Sequence, residues 1–117
     1  MAHDALMIEG IDTEGALKRL GNKRERYEAL LQKFADKQAN TVFTVRTALA
    51  SGDRAAAERD VHSLKGAAAS LGANALAEAA AKAEQYLKAG LEDEVALQQL
   101  EAALEAVVQA IRSKLAQ

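Results

Sequence analysis

The sequence predicts an all-α protein: an antiparallel up-down-up-down four-helix bundle with a short additional N-terminal helix. The chain has 117 residues, of which 28 are alanine and none is proline, so little interrupts a helix. Apolar residues recur at three- and four-residue steps through most of the chain, which places them on one face of each helix. The connections between these segments are short, and short connections make consecutive helices antiparallel.

The N-terminal part predicts a lead-in followed by a short helix. Residues 1–10 show no firm hydrophobic pattern and are expected to form a flexible lead-in or linker, with the helical domain covering residues 11–117. Asp12 or Thr13 can cap a short helix over residues 14–20, and Gly21 is its expected end.

A long second helix is predicted from Asn22 to the Ser51-Gly52 pair. Asn22 is its expected N-cap and Glu25 the capping-box partner. Residues 40–44 are rich in β-branched side chains, but no glycine or proline interrupts them and the apolar pattern stays in phase, so one continuous helix is expected. Its apolar face is predicted to comprise Tyr27, Leu30, Leu31, Phe34, Val42, Val45 and Leu49.

Local signals also predict the boundaries of three further helices. Asp53 is the expected N-cap of a helix that Gly72 ends, and the next helix is expected to begin near Asn74 and to stop at Gly90. The last helix is expected to begin in the acidic turn of residues 92–94, where carboxylates suit the positive end of the helix dipole. The predicted core positions are Ala57, Val61, Leu64, Ala68 and Leu71, then Leu76, Ala80, Ala83 and Leu87, then Leu97, Leu100, Leu104, Val107, Val108, Ile111 and Leu115.

The composition excludes several functions. The chain has no cysteine, which excludes disulfides, a thiol nucleophile and a zinc-thiolate site, and its two histidines are too few for an all-histidine metal site. The net charge of −2 gives no electrostatic footprint for nucleic acid. No apolar run approaches the roughly 20 residues of a membrane span. We therefore expect a soluble, all-helical domain of a reducing compartment, with no metal site, no nucleic-acid partner and no membrane contact of its own.

One polar cluster does not fit a solvated helix face. His62 follows the core residue Val61, so it projects about 100° away from the apolar face. Lys65 lies three residues further on the same side, and because helical side chains lean towards the N-terminus, its ammonium is expected to lie over His62. A neighbouring positive charge favours a neutral, nucleophilic imidazole and would pair with an anion carried by the ring.

Gly66 is the unusual residue of this cluster. It stands in mid-helix among alanines, where glycine costs about 1 kcal/mol relative to alanine. Glycine removes even a Cβ from the strip beside His62, and Ala69 continues that strip. An exposed histidine, a neighbouring lysine and a cleared surface suit in-line transfer of a phosphoryl group to or from a second protein.

These residues resemble the signature of histidine-containing phosphotransfer (HPt) domains, the relay modules of multistep bacterial phosphorelays. Residues 11–17 and 27–34 also resemble HPt domains at the C-termini of hybrid sensor kinases, so the resemblance covers residues 11–89. It implies that a phosphoryl group passes between a histidine of this chain and an aspartate of a receiver domain. The matching positions are His62, Ser63, Leu64, Lys65, Gly66, Ala67, Ala68, Leu71, Gly72, Ala73 and Leu76.

The resemblance also implies individual roles. His62 matches the phosphoaccepting histidine, Lys65 the phosphate-stabilising lysine and Gly66 the glycine that opens the docking surface. Glu84 or Gln85 would orient the imidazole. The family implies no kinase activity, nucleotide, cofactor or metal. It implies a cytoplasmic monomer, free or as the cytoplasmic domain of a membrane sensor kinase, whose partner is the receiver of a response regulator or hybrid kinase.

Two other functions stay open at this point. One is a non-catalytic scaffold, which would need an exposed apolar patch, with the last helix as the place to look. The other is a chemotaxis-kinase-type domain whose histidine is phosphorylated by an adjacent kinase. A metal site on Glu58 and His62 has suitable spacing but no second ligand pair. His3 lies in the lead-in and has no expected role.

Overall fold

The computed structural model describes residues 6–116, and this range contains six helices and no strand. An isolated antiparallel bridge between Ile8 and Ile11 precedes the first helix. The all-α prediction is confirmed for this range. The helices are α1 (Thr13–Arg19), α2 (Arg24–Gln38), α3 (Thr41–Ala50), α4 (Arg54–Leu71), α5 (Asn74–Lys88) and α6 (Glu94–Leu115).

The helices pack as a bundle in which α4 holds a central place. It packs against α5, α3, α2 and α1, while α6 packs against α5, α2 and α3. All the core positions predicted on α4 and α5 are buried, as are those on α6 except Leu115, which is partly buried. The antiparallel up-down-up-down order stays a prediction. No helix within residues 6–116 is long and apolar enough to cross a membrane.

Local chemistry sets most of the helix ends where the sequence predicts them. The side chains of Asp12, Asp53 and Asp93 each accept a hydrogen bond from the backbone N–H three residues later, so each caps a helix. Gly72 ends α4 with a left-handed φ of +89°. Its carbonyl also accepts a 2.8 Å hydrogen bond from the N–H of Asp12, and a Cβ at Gly72 would collide with the Asp12 carbonyl oxygen. Both observations require glycine there.

The prediction of one continuous helix between residues 22 and 50 is wrong, because the helix is interrupted at Ala39 and Asn40 and forms α2 and α3. The side chain of Thr41 donates a hydrogen bond to the Gln38 side chain, and that of Thr44 donates to the Asn40 carbonyl at 3.1 Å. Hydroxyl groups that bond to nearby helical groups bend helices. The β-branched residues of the segment 40–44 therefore interrupt the helix, although the apolar pattern stays in phase through it.

Two positions on this segment also differ from the prediction. Asn22 is not an N-cap: its φ is +62° and its N–H bonds to the Leu17 carbonyl at 2.9 Å, so it closes α1 rather than starting α2. Lys23 occupies the N-cap position without a side-chain hydrogen bond. Leu30 was expected in the core, but 38% of it is exposed.

Part of the expected lead-in is packed. Residues 1–5, with His3, lie outside the described residues. Leu6 and Ile8 are buried in the core, and the Thr13 hydroxyl donates a hydrogen bond to the Leu6 carbonyl. The ordered packing thus begins before residue 11, because these two apolar side chains join the same core as the helices.

Candidate functional site

The packing of α4 against α5 brings three polar side chains together. His62 Nδ1 donates a hydrogen bond to Glu84 Oε2 at 2.8 Å, and Lys65 Nζ donates to Glu84 Oε1 at 2.6 Å. Lys88 Nζ lies 3.4 Å from Glu84 Oε2. The Lys65 ammonium and the His62 imidazole thus meet at one carboxylate. The cause is Glu84, whose negative charge attracts both neighbours.

Helical spacing and small side chains explain this arrangement. His62 and Lys65 lie one turn apart on α4, and Glu84 and Lys88 lie one turn apart on α5. The two helices make extensive contact, and several of their buried positions are alanines, which allow a close approach. The buried alanines of these two helices are Ala57, Ala68, Ala80 and Ala83.

Glu84 is a buried carboxylate that stays ionised. Only 5% of its side chain is exposed. The hydrogen bond from Lys65 makes the largest contribution to lowering its pKa to about 2. Burial opposes this shift, and the contacts with His62 and Lys88 add to it. An ionised carboxylate only accepts hydrogen bonds, so the proton of the shared bond resides on His62 Nδ1.

This hydrogen bond assigns the tautomer of His62. In the neutral imidazole, a proton on Nδ1 leaves the other ring nitrogen, Nε2, with a free lone pair. The His62 side chain is 66% exposed although Nδ1 is bound to a buried group. The ring is therefore anchored on its inner side, with Nε2 available on its outer side for attack on an electrophile.

Gly66 leaves the surface beside His62 open. A Cβ built on this residue would meet nothing within 4 Å. Ala69, one turn further along α4, is also exposed. The cleared strip expected from the sequence is thus present in the described structure.

The structure separates the two candidates on α5. Glu84 contacts the imidazole, whereas Gln85 is exposed and makes none of the hydrogen bonds found to His62 within residues 6–116. Successive helical residues point about 100° apart, so only one of the two can face α4.

Sequence reasoning missed Lys88. Its i,i+4 spacing from Glu84 was visible in the sequence, but it becomes informative only once Glu84 is known to face His62.

Sequence reasoning also missed an apolar groove of about 310 Å³ between α2 and α4. The groove involves Leu30, Phe34, Ala67 and Leu71, with Lys33 and Lys37 also lining it.

A second, polar notch of about 260 Å³ continues this groove at the break between α2 and α3. Lys37, Gln38 and Ser63 line both. Because Ser63 follows His62 and Ala67 follows Gly66, the groove borders the cleared strip. The groove therefore lies next to the part of α4 that carries His62 and Gly66.

A metal centre has no support in the described geometry. Within residues 6–116, no three side chains of the histidine, cysteine, aspartate or glutamate types lie close enough to hold an ion. Glu58 and His62 do lie one turn apart on α4, but His62 Nδ1 is already bound to Glu84.

Comparison with known proteins gives one finding on family. Residues 29–113 match the family model described as "Hpt domain". The matched range covers most of α2 and the helices after it, and it includes all five predicted site residues. No curated protein and no solved structure matches the sequence. Because the family match covers well over half of the chain, and the helical bundle agrees with it, the chain belongs to the Hpt domain family.

Proposed function

We propose that this protein carries a phosphoryl group on His62 Nε2, accepting it from the aspartate of one receiver domain and passing it to another in a multistep phosphorelay. Hpt domains in general serve histidine phosphotransfer in phosphorelays and are phosphocarriers without kinase activity. The observation that carries the assignment to His62 is its exposed imidazole, anchored through Nδ1 to the buried, ionised Glu84.

The transfer step needs no proton to leave the ring. The Nε2 lone pair attacks the phosphorus in line, the phosphorus–oxygen bond to the receiver aspartate breaks, and that aspartate departs as a carboxylate. The imidazole then holds both the phosphoryl group and its Nδ1 proton, so the ring becomes positively charged. Glu84, already bound to Nδ1, stabilises this charge without having to move. The reverse step returns the phosphoryl group to an aspartate in the same way.

Lys65 is the proposed source of positive charge for the phosphoryl oxygens. Its ammonium and the His62 ring meet at the same carboxylate, and its side chain is 35% exposed. A flexible lysine in this place can reach an anion on the neighbouring ring. Charge-assisted contacts of this type are stronger than neutral hydrogen bonds.

The receiver is proposed to dock over Gly66 and the groove between α2 and α4. Gly66 offers no side chain that would hold the two backbones apart, and Leu30 is an exposed apolar residue of the groove. Lys33 and Lys37 suit acidic groups on the partner. A cytoplasmic, monomeric domain with its long helices in antiparallel order belongs to the same proposal and rests on the resemblance to HPt domains.

The test is phosphotransfer from a phosphorylated receiver, followed by loss of the same label in His62→Gln. The adduct is expected to be labile in acid and stable in base. The chain has one other histidine, so His3→Gln is the matched control and is expected to keep the label. Circular dichroism would show that both variants keep their helices. Labelling that persists in His62→Gln would contradict the proposal.

A further inference from the structure

We propose that Lys88 is a positioning residue that replaces Lys65 at Glu84 when a phosphoryl group arrives, which frees Lys65 to contact the phosphoryl oxygens. The inference rests on the proposed function of His62. The Lys88 ammonium lies further from Glu84 than the Lys65 ammonium does, and its position on α5, four residues after Glu84, places it beside the site.

The resting site holds two cations on one carboxylate, and they are held unequally. Lys65 Nζ lies 2.6 Å from Glu84 Oε1, and its side chain is 35% exposed. Lys88 Nζ lies 3.4 Å from Oε2, and its side chain is 61% exposed. Oε2 already accepts the His62 Nδ1 hydrogen bond. Lys65 is therefore the tighter partner, and Lys88 is a second cation close by.

A direct movement of Lys65 to the phosphoryl group would leave Glu84 Oε1 without its partner. A buried carboxylate that loses a charged partner is strongly destabilised, so Lys65 would be held back at Glu84. Lys88 removes this obstacle. It lies four residues after Glu84 on α5, its stem is flexible, and the two carboxylate oxygens are close enough for one ammonium to move between them.

The charges of the two states support an exchange. With a neutral imidazole, Glu84 and the two lysines together carry one positive charge. The phosphorylated ring adds a net charge of about −1 at neutral pH, because the doubly negative phosphoryl group is joined to a cationic ring. The whole cluster is then close to neutral, because three cationic groups balance the carboxylate and the doubly negative phosphoryl group. Without Lys88, the cluster would carry a net charge of about −1, and Lys65 would be the one lysine shared by Glu84 Oε1 and the phosphoryl group.

The test compares Lys88→Met, its charge-preserving counterpart Lys88→Arg and the control Lys82→Met. Lys82 is exposed on the same helix and lies two residues before Glu84, so it points about 200° away from it. The measurements are the transfer rate at saturating phosphorylated receiver and the Kd for that receiver. Lys88→Met is expected to transfer about tenfold more slowly, the effect of one charge-assisted contact, with an unchanged Kd. Lys88→Arg should restore most of the rate, and Lys82→Met should leave it unchanged.

A double-variant cycle distinguishes exchange from an independent effect of charge. If Lys88 acts by freeing Lys65, then Lys88→Met should add little further loss in a Lys65→Met background. Additive losses, an effect confined to the Kd, or an unchanged rate in Lys88→Met would overturn the exchange. Failure of the proposed function gives a different result, because the wild-type protein would then carry no label on His62.

Discussion

Substitutions of Gly66 should have opposite effects on the free energy of unfolding and on the rate of phosphotransfer. The residue lies inside α4, its φ is not positive, and a Cβ would meet nothing within 4 Å. Alanine therefore fits without strain and restricts the unfolded chain, so Gly66→Ala should raise the free energy of unfolding by about 1 kcal/mol. For a domain of this length, the corresponding rise in Tm is roughly 4 °C.

A larger side chain at the same position should oppose transfer while keeping the gain in stability. Gly66→Gln places a flexible side chain on the open strip one turn from His62, where the receiver is proposed to approach. Small displacements of reacting groups are costly, so the transfer rate should fall by about 10- to 100-fold. Gly66→Ala should show a smaller loss, because it adds a single methyl group.

The assay pairs urea melts with phosphotransfer kinetics from one receiver. Ala102→Gln is the matched control, since Ala102 is an exposed residue of α6, and α6 has no extensive contact with α4. It should leave transfer unchanged. A Gly66→Gln variant that is folded and transfers at the wild-type rate would refute docking over this strip. A Gly66→Ala variant that is less stable than the wild type would refute the claim that a Cβ fits at this helical position without strain.

Three further predictions concern the carboxylate and the groove. Glu84→Gln offers only one side-chain oxygen to His62 and Lys65, so one of the two hydrogen bonds is lost. Transfer should slow by about 10- to 100-fold, and kinetics at wild-type speed would contradict the orienting role. Because folding lowers the Glu84 pKa from 4.5 to about 2, its stabilising contribution should be complete above about pH 5 and lost as the pH falls through 2. At pH 7 the unfolding free energies of wild type and Glu84→Gln should differ by about 2 kcal/mol, after allowing for the exposed partners. Urea melts at a series of pH values from 7 to 2 should show this difference disappearing in acid. A difference that persists at pH 2 would contradict this assignment. Leu30→Ala should raise the Kd for the receiver about tenfold with little loss of stability, whereas the control Leu91→Ala, also exposed, should leave the Kd unchanged.

The helix boundaries show which signals a sequence carries by itself. The caps at Asp12, Asp53 and Asp93 depend on a side chain and a backbone N–H three residues away, so local sequence is sufficient to predict them. The break at Ala39 and Asn40 could not be predicted with the same certainty. There, side-chain hydroxyls compete with an apolar pattern that favours a continuous helix, and their balance depends on packing against α4.

The candidate site shows the same division. The placement of His62, Lys65 and Gly66 on one helix follows from their spacing, because helix geometry fixes their relative directions. The choice of Glu84 over Gln85 does not follow from spacing, since the two lie on adjacent directions of a different helix. Only the contact between α4 and α5 decides which of them meets the imidazole.

The sequence alone determined the helical class, most helix ends, the core positions of α4 and α5, and the resemblance that led to the family. These features depend on local propensity and on the period of the helix. The tertiary structure decided the break near Asn40, the burial of Glu84, the contact of Lys88 and the groove beside Gly66. Each of these depends on how close two helices come and how they are rotated, which is set by the packing of many side chains at once.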